Sequence, residues 1–102
     1  MNNVIPMRRT STRYVVLYMT GGTVSSPEPR GYDSENEAWS HASKLVLDQG
    51  INGLGASDQD AIRQLHDAGE HRMAVERWRD LIDSVRPRTD RRISVNPIRV
   101  RA

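Results

Sequence analysis

The stretch LHDAGEHRMAVERWRDL, residues 65–81, decides how the second half of this chain folds. Read as one helix, it carries two apolar rows. Ile62 and Leu65 lie on one side with Met73, whereas Ala74, Trp78, Leu81 and Val85 point to nearly the opposite side at about 100° per residue. A straight helix cannot bury both rows against one core. A break at Gly69 resolves the conflict, and the spacing predicts helices over about 57–68 and 70–85 packed as a hairpin.

Upstream, GINGLGAS (residues 50–57) reads as a connector, with Ser57 capping the next helix and Asp60 three residues on. Before it, DSENEAWSHASKLVLDQG (33–50) opens with Ser34 and Glu37 in a capping box, so a helix is expected over 34–48. Ala38, Ala42, Leu45 and Val46 form its inward row, Trp39 flanks that row, and Gly50 reads as a stop. RYVVLYMT (13–20) is a strand by its β-branched and aromatic content, bounded by Gly21 and Gly22. Almost every position in it is apolar, which predicts that both its faces are covered. TVSS (23–26) begins a partner strand that Pro27 and Pro29 keep short.

At the other end, Pro87 stops the third helix and RRISVNPIRVR (91–101) follows. Its apolar alternation runs through Ile93 and Val95, then slips by one to Ile98 and Val100, which predicts an edge strand bulged or bent at Asn96 and Pro97. The order strand, helix, helix, helix, strand predicts an α+β fold. Its sheet is small and mostly antiparallel, built from the terminal strands, with three helices packed on one face. Residues 13–102 are expected to form one domain behind a flexible basic arm at 1–12.

Charge is uneven along the chain. Arg8, Arg9 and Arg13 give the first 13 residues +3, and Arg86–Arg101 carries +5, so the middle is −6 in a chain of net charge +2. There are no cysteines, which excludes disulfides, thiolate metal sites and cysteine nucleophiles. The first residues lack the apolar run of a signal peptide, and no segment approaches the ~20 apolar residues that span a bilayer. A cytoplasmic protein with no membrane contact is the expectation.

No motif carries catalysis. The glycines of residues 50–57 follow a helix rather than a strand, no lysine follows them, and Asp58 and Asp60 occupy the positive helix end a phosphate would need. His66 and Glu70 are four apart, but a break at Gly69 separates them, so His41, His66 and His71 read as solvated polar side chains with no metal bound. Neither a G-x-S-x-G elbow nor an H-E-x-x-H helix is present. No enzyme, no cofactor and no catalytic residue are expected.

GEHRMAVERW (69–78) resembles the turn and recognition helix of helix-turn-helix DNA readers. Gly69 stands at the turn, Val75 six residues later and Trp78 nine later, with Arg77 beside it. The resemblance implies that residues 61–80 enter a DNA groove. Against it, Leu65 stands where the two helices should approach most closely, and Glu76 and Asp80 share the face of Arg72 and Arg77. From Arg13 to Leu45, a strand, a turn and YDSENEAW (32–39) are similar to the arm-type DNA-binding domains of phage integrases.

The reading that follows is a small non-enzymatic protein, phage-encoded or bacterial, that acts as an inhibitor or adaptor by protein–protein contact. A host complex that targets nucleic acid is one such partner, and a helix-turn-helix regulator is the alternative. Candidate contact residues for a protein or nucleic-acid partner are Arg8, Arg9, Arg72, Arg77, Arg88, Arg91 and Arg92.

Overall fold

The computed structural model describes residues 10–85 and 91–101. In chain order its elements are β1 (Thr10–Thr20), β2 (Thr23–Ser25), α1 (Glu35–Leu45), α2 (Ala56–Asp67), α3 (His71–Val85) and β3 (Arg92–Arg101). The three strands form one antiparallel sheet in the order β2-β1-β3, so the terminal strands pair as expected and the fold is α+β. β1 begins at Thr10, three residues ahead of the expected start. No helix among the described residues is long and apolar enough to cross a membrane.

Gly21 and Gly22 join β1 to β2 with φ of 56° and 82°, the two positive values of a type I′ hairpin turn. β3 departs from expectation: it contains no bulge. Ten consecutive pairs run from Met19 opposite Arg92 to Thr10 opposite Arg101. Pro97 is tolerated because of its partner, Tyr14. Both backbone groups of Tyr14 bond Tyr32 on the far side of β1, at 2.9 and 2.8 Å, so nothing in the β1–β3 ladder asks Pro97 for an amide proton. The apolar residues of β3 simply change face. Ile93 and Val95, opposite Tyr18 and Val16, point to the helices, while Ile98 and Val100 lie on the other side.

That other side is covered only locally, which corrects the expectation for β1. Val15 is buried there because the backbone of Gly31, at φ 79°, lies against it, and a Cβ on Gly31 would stand 3.1 Å from Val15 Cγ2. Arg13 holds this loop down, donating from Nε to Arg30 O at 2.7 Å and from Nη2 to Gly31 O at 2.8 Å, with an ion pair to Asp33. Met19 and Val24, farther along the same face, are exposed.

α1 starts where its cap predicts, with the Glu37 amide donating to Ser34 Oγ at 3.1 Å. It ends differently. Instead of stopping before Gly50, the chain widens into a single π turn, Val46–Gly50. Gly50 is there for packing. The Trp78 indole of α3 donates from Nε1 to Gly50 O at 3.0 Å, and a Cβ on Gly50 would sit 2.7 Å from that nitrogen. α2 also starts differently, at Ala56 behind an extended Gly55, so Ser57 lies inside the first turn and does not cap it.

The break at Gly69 is present, with φ 81°. The Glu70 amide reaches back to Leu65 O at 2.8 Å and the Gly69 amide to His66 O at 3.0 Å, a Schellman closure that pairs carbonyls the helix end leaves free. α1 lies on the sheet, α3 packs on α1, and α2 packs on α3. The core joins Val16 and Ile93 of the sheet to Ala38, Ala42, Val46, Ile51 and Leu54, to Ile62 of α2, and to Ala74, Val75, Trp78 and Ile82 of α3. Leu81, expected in that row, is half-buried at its flank, and the fully buried Trp78 is the largest side chain inside.

Candidate functional site

Because α3 commits Ala74, Val75, Trp78 and Ile82 to the core, its neighbouring row, Met73, Glu76, Arg77 and Asp80, turns outward beside α2. α2 offers Ala61, Gln64 and Leu65 at the matching helical spacing. Together they line an open groove of about 530 Å³. Its floor is apolar: Leu65 is half-buried, and Met73, outside the core, is 51% exposed. Its rim carries both signs of charge, Glu76 and Asp80 with Arg77. Sequence patterning places Ile62, Leu65 and Met73 in one row; the structure buries Ile62 in the core, half-buries Leu65 and turns Met73 to solvent.

Among the described residues, three of the four expected arginines are engaged within the chain and do not form a free cationic surface. Arg72 is ion-paired with Glu76 at 3.2 Å, one helical turn on, and its guanidinium lies 5.4 Å from the centre of the Trp39 ring. Arg92 pairs with Asp83 at 3.3 Å and donates to Arg91 O at 2.7 Å, while Arg91 reaches Gln49 O at 3.4 Å. Of these four, Arg77 alone makes no hydrogen bond or ion pair with a described residue. Arg8, Arg9 and Arg88 lie outside the described residues.

The helix-turn-helix frame has its packing residues in place: Gly69 at the turn, Val75 and Trp78 buried. Leu65 lies in the groove between the two helices. The exposed row of α3 is neither acidic nor basic, since Arg72 and Arg77 alternate with Glu76 and Asp80.

Two of the three histidines, His66 and His71, depart from the expectation of solvated side chains. His41, exposed, stacks on Tyr32 with ring centres 4.4 Å apart, and burial together with the carboxylates of Glu28 and Glu37 raises the Tyr32 phenol pKa. His66 and His71 are half-buried and converge on one fully buried hydroxyl, Ser43 of α1, at 2.5 Å and 3.2 Å from their Nδ1 atoms. Ser43 also bonds Ser40 O at 3.0 Å. The imidazole centres are 4.9 Å apart. Burial, with His66 beside it, holds the His71 pKa below the ordinary value; Glu70 opposes this. A signal existed for Ser43, though not for the histidines that meet it. Ser43 stands four residues after Trp39 and three before Val46, on the inward side of α1, where a hydroxyl needs a partner. Among the described residues no group of three or more histidine, cysteine or acidic side chains is placed to hold a metal ion.

Comparison with protein families, with curated proteins and with solved structures finds no match to this chain.

Proposed function

We propose that this protein is a binding module without catalysis, an inhibitor or adaptor that occupies a surface of a larger protein through the α2–α3 groove. The observation that carries the reading is the groove itself: an apolar floor of Ala61, Leu65 and Met73 inside a rim of mixed charge. An exposed methionine among apolar neighbours suits an adaptable protein contact, and a ring of opposite charges sets register. The same mixture suits a duplex poorly, because carboxylates facing phosphates oppose binding.

Met73→Asp places a charge on the floor without touching the core. A host protein that co-purifies with the wild type and is lost with Met73→Asp, at unchanged circular dichroism, supports the reading; equal retention by the variant overturns it. A second reading, a helix-turn-helix regulator using residues 61–80, is favoured by the Gly69 turn and the buried Val75 and Trp78. It requires Arg72 to leave Glu76 and Trp39 for DNA, beside the exposed Arg77. The expected result is no shift of random duplex at physiological salt up to tens of micromolar, roughly the range of non-specific affinity. Salt-sensitive binding abolished by Arg72→Ala with Arg77→Ala reverses the order of the two readings.

A further inference from the structure

Three helices meet at Ser43, and the two side chains that close on it belong to α2 and α3, on either side of the Gly69 turn. Ser43 has one proton and two lone pairs. When its hydroxyl donates to Ser40 O, both lone pairs are left to accept from Nδ1–H of His66 and Nδ1–H of His71, so the arrangement is complete with both rings neutral. A ring that gains a proton keeps its Nδ1–H bond. What changes is charge: an imidazolium at position 71 is half-buried, faces His66 at 4.9 Å, and sits in the first turn of α3, where the helix dipole already presents positive charge. From the turn, Glu70 partly offsets this. From α1 the group met is the neutral Ser43, while Lys44 next to it and Asp67 next to His66 are exposed.

We propose that the Ser43–His66–His71 cluster is a proton-sensitive latch, which holds the α2–α3 turn against α1 most firmly while His71 is neutral and is weakened when His71 is protonated. The pH sense follows from the neutral form being the one the fold favours. Above the ordinary histidine range both folded and unfolded chains are neutral at this position, and the latch is fully present. As pH falls below about 6.5 the unfolded chain takes up a proton that the folded chain resists, and stability is lost until the folded ring also titrates. The groove lies between the same two helices, so its shape follows the latch; that last step rests on the groove reading, whereas the latch does not.

The test uses the full chain without any partner, so its failure is separate from failure of the groove. Urea denaturation between pH 8 and 5 is measured for wild type, His71→Gln and His41→Gln, with imidazole NMR titration and amide exchange on the wild type. The expected wild-type result is a folded-to-unfolded ratio that falls below about pH 6.5 by up to tenfold per pH unit. His41→Gln keeps that dependence and His71→Gln flattens it. Wild-type His71 titrates below the free-histidine value, and the Gly69 and Glu70 amides lose protection before those of the β1–β3 ladder. An equal fall in His71→Gln, His71 titrating at or above the free value, or uniform loss of protection would each overturn the latch. Should His71→Gln fail to fold, the wild-type titration and exchange decide.

Discussion

Trp78 shows what a single residue does here. Its indole is fully buried, joins α3 to the π turn after α1, and donates its one proton to Gly50 O. Trp78→Ala removes both the packing and the hydrogen bond, with an expected loss of about 3–5 kcal/mol, enough to unfold a marginal small domain. A thermal melt checks this, and an unchanged melting temperature would contradict the burial. Gly50 and Gly69 are required for different reasons. Gly50→Ala forces a Cβ to within 2.7 Å of the indole nitrogen, so a loss of about 1–3 kcal/mol is expected along with an altered near-ultraviolet dichroism of tryptophan. Gly69→Ala meets no atom within 4 Å but is held at φ 81°, so it should lose about 1–2 kcal/mol with the tryptophan signal unchanged. Urea denaturation and near-ultraviolet spectra of the two variants separate packing from conformational strain.

Elements decide where these residues end up. β3 is an edge strand of ten residues, and such an edge invites pairing with another chain. Pro97 stands on it at a position whose nitrogen the β1 ladder does not use, so its missing proton weakens the free edge rather than the sheet. Pro97→Val is therefore expected to leave stability nearly unchanged and to increase self-association, read by analytical ultracentrifugation; a monomeric variant would show that the edge is guarded in another way. On the helical side, Met73→Asp should change stability by no more than about 0.5 kcal/mol, because a side chain 51% exposed contributes little to the core. A larger loss in urea would mean that the groove floor is structural.

The whole molecule is a layered stack in which the sheet carries α1, α1 carries α3 and α3 carries α2. Residues 1–9 precede a β1–β3 ladder whose ten pairs are complete from Thr10 onward. Deleting residues 1–9 is accordingly expected to leave the melting temperature nearly unchanged, and a large drop would show that Val4, Ile5 or Met7 contributes to the core. Net charge has limited reach as a guide to binding at this scale. Arg91 and Arg92 belong to the basic C-terminal stretch and Arg72 to the acidic middle, yet each is engaged by another group of the same chain.

Local pattern was enough for the element types, the Ser34 cap, the Gly21–Gly22 turn and the break at Gly69, because each depends on residues within one or two helical turns of one another. The same pattern separated the two apolar rows of residues 57–85 and so implied the hairpin. It did not reach the unbulged register of β3, which depends on Tyr14 turning its backbone toward Tyr32, or the role of Gly50, which depends on an indole 28 residues away. Nor did it reach the meeting of Ser43 with His66 and His71, 23 and 28 residues on. Periodicity reports which way a side chain faces from its own element; what it meets there is decided only when the elements pack.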